Sequence, residues 1–186
     1  MNDGSTDATA AEAKAAGAEV ITLAKSAGKG MSLSVGWQHA FELGFSWVLN
    51  MDGDGQHSPG DIPAFLEKAD HLKPALIVGN RMRNPYQMPW LRRAVNRWMS
   101  ARLSKTAGFP LPDSQCGFRL MHLDSWKKME LRSHHFEIES EMLLSYARLG
   151  LPVQFVPIQV IYRRGGSNIN PIIDTVRWLR WFLTND

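Results

Sequence analysis

An α/β domain built on a mainly parallel sheet is the fold class this chain of 186 residues predicts. Three observations predict it. Short apolar, β-branched runs alternate with segments of helical period, which calls for a sheet covered on both faces. The runs are apolar without alternation, as strands buried on both sides are. The run Phe45-Ser46-Trp47-Val48-Leu49 ends in the Gly-rich acidic turn Asn50-Met51-Asp52-Gly53-Asp54-Gly55-Gln56-His57, at the sheet edge where open α/β folds hold ligands.

Composition bounds the class without naming a function. The chain is 44% hydrophobic and 21% charged, ordinary for a globular domain, and its length suits one domain with a real core. A net charge of +3 is too small to argue for nucleic acid, and no nucleic-acid partner is expected. The single cysteine, Cys116, excludes an internal disulfide and reads as a small buried hydrophobe. No apolar run approaches the roughly 20 residues a membrane span needs. The expectation is a cytosolic protein, with the inner face of a membrane as a surface it could lie on.

The chain opens with Asn2-Asp3-Gly4-Ser5-Thr6-Asp7, whose Ser5, Thr6 and Asp7 are natural caps for the alanine-rich helix that follows from Ala8 to Ala16. Glu19-Val20-Ile21-Thr22-Leu23 reads as a short strand, and Ala27-Gly28-Lys29-Gly30 as a loop opening a helix over about 32–43. Lys29 between glycines could approach a phosphate or simply be exposed in a turn, because the loop lacks the full P-loop spacing.

In the acidic turn, Asp52 and Asp54 stand two apart with glycines beside them, so both can reach one hard cation, and Gln56 adds a neutral oxygen. So few ligands suit Mg²⁺ or Mn²⁺, which keep positions for waters and substrate phosphates. An EF-hand is excluded by His57, Pro59 and Pro63 at the loop positions that need other residues. The plain alternative is an acidic turn that caps the helix after Ser58-Pro59.

That helix is expected to run to about His71, followed by the strand Ala75-Leu76-Ile77-Val78-Gly79 with Arg81 just beyond it. Arg81 would contact a phosphate or pair with Asp52 and Asp54. A helix from Trp90 to Lys105 carries the apolar stripe Leu91, Val95, Trp98 and Met99, with Arg92, Arg93, Arg97, Arg102 and Lys105 around it. This basic face is either solvated or laid against anionic head groups. The turn Pro112-Asp113-Ser114-Gln115-Cys116-Gly117-Phe118-Arg119-Leu120 leads into a short strand. A helix over 137–149 carries Glu139 and Glu141, and an extended segment from Val153 to Tyr162 is interrupted at Pro157. Arg163-Arg164-Gly165-Gly166-Ser167 forms a basic loop able to fold over an anion. Asn170-Pro171 starts a last helix with Ile172, Val176, Leu179 and Leu183 on one face and Trp178, Trp181 and Phe182 widening it. Such breadth predicts docking on another element or rest in a membrane interface.

Taken in order, Asn-Asp-Gly-Ser-Thr-Asp at 2–7, Gly-Lys-Gly at 28–30, Asp-Gly-Asp-Gly-Gln-His at 52–57, Gly-Asn-Arg at 79–81, Gln-Cys-Gly-Phe-Arg at 115–119 and Gly-Gly-Ser at 165–167 resemble the family-2 glycosyltransferases of the GT-A fold. The closest likeness is to the branch of polyprenyl- and dolichyl-phosphate sugar synthases. The resemblance implies a three-layer α/β/α sandwich with a mostly parallel sheet, without the strand and helix that precede the first motif in the family. It divides the chain into a transferase domain over 1–169 and a Trp/Arg-rich helix over 170–186.

It also implies roles. Asp3 would contact the base or ribose of a UDP- or GDP-hexose, and Lys29 would lie near the nucleotide. Asp52 and Asp54 would hold the metal, Mg²⁺ or Mn²⁺, with Gln56 supporting. Arg81, Arg119, Arg164 and Ser167 become candidates for binding the nucleotide sugar, the arginines at its diphosphate or at an acceptor phosphate. Displacement inverts the anomeric centre. A hydroxyl acceptor such as a glycan would require a base, Asp113 first and Glu139 second; a lipid-phosphate acceptor would require none. A reading of another class is a catalytically silent chain that binds a membrane or a protein through its last helix.

Overall fold

The computed structural model describes residues 1–72, 75–85, 88–161 and 171–185. At its centre are four strands, β1 (Trp47–Asn50), β2 (Leu76–Asn80), β3 (Arg119–His122) and β4 (Val153–Pro157), in the order β1-β3-β2-β4. β2 and β4 are parallel, whereas β3 runs antiparallel to both β1 and β2. Three of the four strands therefore share a direction, in keeping with the mostly parallel α/β fold expected, and β3 alone makes the sheet mixed. The reason is connectivity: β3 enters from the turn at 113–118 at the edge where β1 and β2 finish, so it can only run back between them.

Leu76, Ile77 and Val78 are all fully buried, which is why this strand lacks polar alternation: both of its faces are covered. Around the sheet lie α1 (Thr9–Ala15), α2 (Lys29–Glu42), α3 (Ile62–Leu72), α4 (Trp90–Ala107), the short α5 (Leu123–Trp126), α6 (Ile138–Arg148) and α7 (Pro171–Asn185). α2 packs on β1, α3 on β2 and β4, and α4 on α6. α2 starts earlier than expected because Gly28, at φ 93°, turns the chain directly into Lys29.

Two expected elements differ. The strand at 19–23 is reduced to one parallel bridge, Asn2 with Thr22, held by Asn2 N–H donating to Ile21 O and Leu23 N–H donating to Asn2 O. Its only partner among the described residues is too short to make a ladder. In α4 the buried side is Asn96, Met99, Ser100 and Leu103, while Leu91 and Trp98 are exposed. Polar partners pull this helix round: Asn96 Nδ2 donates to Asp113 Oδ1 at 2.9 Å, and Ser100 Oγ accepts from Ser114 N at 3.0 Å. Hydrogen bonds, not apolar period, choose the face.

α7 docks through Trp178 and Phe182, both buried and stacked 5.0 Å apart. Trp178 Nε1 donates to Ser140 Oγ on α6, and its ring meets Trp98 of α4 edge-on at 5.6 Å. Of the face expected to dock or to rest in a membrane interface, Val176 and Leu183 are exposed, and the side chain of Ile172 lies outside the described residues. Among the described residues no helix is long and apolar enough to cross a membrane.

Candidate active site

The reversed strand determines what meets at the sheet edge. Asn50, the last residue of β1, is paired with Arg119, the first of β3, so the turn after β1 and the turn before β3 face one another. Gly117 is the contact point. A Cβ there would lie 2.6 Å from Asp52 Oδ2 and 2.7 Å from Lys29 Nζ, so only a glycine allows this approach.

Lys29, at the first turn of α2, sends its ammonium into this corner. It lies 2.5 Å from Asp52 Oδ1 and 2.6 Å from Glu139 Oε1, with the Phe136 ring 5.5 Å away. Burial disfavours its charge, but Glu139 and Asp52 more than compensate and raise the Lys29 pKa, so it stays a cation. Burial likewise works against the Asp52 carboxylate, and Lys29 holds it below the ordinary range. His57 is buried and its Nδ1 accepts the Asp52 N–H at 3.2 Å, which leaves Nε2 as the protonated nitrogen of the neutral ring, 4.0 Å from Asp52 Oδ2. Burial lowers the His57 pKa and favours that neutral form. Its ring stacks on Phe118, which packs on Phe65.

Asp54 is exposed two residues on, its Oδ1 accepting from Gln56 N at 3.0 Å in a local turn, while the cap of the helical segment from Pro59 is Ser58, whose Oγ accepts from Gly60 N. The segment after β4 closes along this turn: Val160 bridges His57, and Ile161 N–H donates to Gln56 O. Arg164 and Ser167 lie outside the described residues.

Several expected ligand contacts are already occupied within the protein. Asp3 accepts from Ala27 N, Gly28 N and Ser26 Oγ; these bonds overcome its partial burial and lower its pKa. It caps the loop ahead of α2. Arg119 is buried and donates to the carbonyls of Cys116, Ser114 and Glu139, tying the turn to α6. Arg81 pairs with neither Asp52 nor Asp54 but with Asp113, through Nε and Nη2 at 2.8 Å each. Asp113 is fully buried, and despite that burial its pKa is lowered by Arg81 and Asn96. Asp113, expected as first-choice base, is here the enclosed partner of Arg81, an arrangement that works against proton abstraction from a substrate. Glu139 does reach the site, joined to Lys29. Burial pushes the nearby Cys116 thiol up to about 12, in keeping with an inert buried hydrophobe.

The sequence reading missed the segment 133–136. Gly30 N–H donates to His134 O at 2.8 Å, and the Glu141 carboxylate accepts from Arg132 N and Ser133 N. Glu141 thus fixes the loop that backs Lys29. No local pattern announces a contact across so many residues. The cavities of about 550 and 660 Å³ lie elsewhere, the first beside Trp47 and His122 and the second beside Ile21 and Trp126.

A mixed α/β sheet with an acidic turn beyond its first strand, where Asp52 faces Gly117 of the turn before the reversed strand, is the arrangement of the GT-A class. Residues 1–129 match Glycosyl transferase family 2, and the chain belongs to that family. Over 140 residues it is 31% identical to UDP-N-acetylglucosamine–dolichyl-phosphate N-acetylglucosaminyltransferase of Methanococcus voltae, covering 73% of this chain and 56% of that protein. It is 26% identical over 171 residues to undecaprenyl-phosphate mannosyltransferase of Micrococcus luteus, covering 83% and 69%. The glucosyl-3-phosphoglycerate synthase of Mycobacterium tuberculosis, solved with UDP, superposes with a TM-score of 0.72 at 19% identity, over 97% of this chain and 65% of that one. The chain spans a little over half the length of the first of these relatives.

Proposed function

We propose that this chain transfers a hexose from a nucleotide-diphosphate sugar to a polyprenyl-phosphate acceptor by inverting displacement, with a divalent cation held at Asp52 and Asp54. The observation that carries it is the corner itself: Asp52 at the end of β1, opposed by Lys29 and Glu139 and walled by Gly117. Support for the acceptor comes from relatives named for dolichyl phosphate and undecaprenyl phosphate. Support for the donor and ion comes from the Mycobacterium tuberculosis enzyme, solved with Mn²⁺ and UDP-glucose.

The donor set suits such an ion. Asp52 Oδ2 carries no hydrogen bond among the described residues, Asp54 is exposed, and Gln56 supplies an amide oxygen. Among those residues there is no cluster of three or more His, Cys, Asp or Glu, so substrate phosphates and waters would complete the shell. When bound, a divalent ion stabilises charge on the departing nucleoside diphosphate.

The protein's own groups then divide the work. Lys29 supplies a second, fixed positive charge at the same corner. An acceptor phosphate is already ionised, so no side chain has to remove a proton; this agrees with Asp113 enclosed by Arg81 and Glu139 held by Lys29. Arg164 and Ser167, from the basic Gly-rich segment of the sequence, are proposed as phosphate contacts. The exposed Trp90, Leu91 and Trp98 of α4, among its five basic residues and no acidic one, support contact with a membrane surface beside the lipid acceptor.

The test is sugar transfer from UDP- and GDP-hexoses to undecaprenyl phosphate in detergent with MnCl₂. Sugar-phosphoryl-polyprenol should form, and should disappear with Asp52→Ala or with chelator. Transfer that survives both would refute the metal-assisted reading; vesicle binding with no transfer in any condition would favour the silent binding module.

A further inference from the structure

The first turn of α6 carries Glu139 to the corner, and the helix does not fix that turn by a cap of its own. Its N-cap, Glu137, makes no side-chain capping bond, so tertiary contacts set where the turn lies. Two adjacent residues of α7 supply such contacts. Arg177 Nε lies 3.7 Å from Glu137 Oε1, and Trp178 Nε1 donates to Ser140 Oγ at 2.8 Å. The two grips fall on either side of Glu139, whose carboxylate meets Lys29 Nζ at 2.6 Å; Lys29 in turn meets Asp52. Glu137, Glu139 and Ser140 are all buried. The Ser140 hydroxyl also accepts from Gln115 Nε2 at 3.0 Å, and the same amide donates to Ser114 Oγ at 2.9 Å. One buried hydroxyl therefore joins α7 to the turn at 113–118, whose Gly117 lies against Asp52 and Lys29.

We propose that α7 is a clamp on the active site: Arg177 and Trp178 hold the first turn of α6 so that Glu139 keeps Lys29 in the corner. They are positioning residues, which act through Glu139 and Lys29. A fixed charge that faces a diphosphate loses much of its effect when it is misplaced by about an ångström. The helix is then a working part of the transferase site, although it lies beyond the residues 1–129 that match the family. This proposal rests on the reading of the corner as the nucleotide-diphosphate site.

Trp178→Phe keeps an aromatic ring against Phe182 and Trp98 and removes the indole N–H. Arg177→Gln removes the charge from a side chain that is 42% exposed, and decides the matter alone if loss of the indole N–H unfolds the chain. Amide hydrogen exchange needs no ligand: in both variants residues 136–141 should exchange faster than in wild type, with β2 unchanged. Calorimetry of UDP with MnCl₂ separates position from fold, because unfolded molecules lower the number of sites whereas a misplaced Lys29 raises Kd. Arg177→Gln/Trp178→Phe should bind UDP about tenfold more weakly at full site number. In a Glu139→Gln background the same pair should add less than about twofold, since the link it acts through is already cut. Wild-type exchange at 136–141, an unchanged Kd, or an equal factor in the two backgrounds overturns the clamp and leaves the nucleotide site standing. Absence of UDP binding in wild type overturns the nucleotide reading of the corner, and the clamp's role in the reaction with it.

Discussion

Arg81 and Asp113, 32 residues apart, form a two-pronged ion pair with both contacts at 2.8 Å, and the Arg81 backbone N–H adds a third bond to the same carboxylate. The aspartate is fully buried and Asn96 completes its shell. Removing one partner strands the other charge in the interior. Asp113→Ala should therefore cost about 3–5 kcal/mol of stability, measured by urea unfolding, with any loss of activity following the loss of fold.

The same pair sets an acid response. The folded pKa of Asp113 is depressed, as are those of Asp52 and Asp3, so the unfolded chain binds protons first as pH falls. Their stabilisation is fully present above the unfolded value of about 3.9 and is lost as pH drops through the lower folded values. Unfolding free energy should fall below about pH 4, and in Asp113→Asn this acid limb should be shallower. An equal slope in the variant would show that other carboxylates dominate.

Gly117→Ala tests the wall of the corner. The added methyl would meet Asp52 Oδ2 at 2.6 Å and Lys29 Nζ at 2.7 Å, and both ends must shift. Because a flexible lysine can yield, stability should drop by only about 1–3 kcal/mol, whereas Mn²⁺-dependent UDP binding by calorimetry should weaken at least tenfold.

Docking of α7 depends on Trp178, which is buried between α4 and α6. Trp178→Ala should cost roughly 3–5 kcal/mol, seen as a lowered thermal midpoint.

The outer side of α4 predicts a different effect. Replacing Arg97, Arg102 and Lys105 by glutamate should abolish sedimentation with phosphatidylglycerol vesicles while leaving the thermal midpoint within a few degrees, since these side chains are exposed.

Much of this was readable one segment at a time. The run before Asn50 and the turn after it were legible because apolar residues and Asp-Gly pairs encode a strand and its exit locally. The motif order carried the family. What stayed hidden was long-range. Nothing around Arg81 says that its carboxylate partner is Asp113, and nothing in α4 says that Asn96 and Ser100 turn inward to meet that same turn. The direction of β3 was equally invisible, because a short buried strand reads the same whichever way it runs. The glycines around Lys29 allow a phosphate contact or an exposed turn, and neither announces its bond to Glu139, which spans 110 residues.

The antiparallel course of β3 makes the turn before it intolerant of indels. Side chains on a strand change sides at every step, so one residue inserted between Gly117 and Arg119 would shift the pairing of Arg119 with Asn50 and swing the guanidinium away from the three carbonyls it staples. Substitution can vary the chemistry of this corner, but its dimensions are set by a fixed number of peptide units, and attempts to redesign the enzyme should leave that count alone.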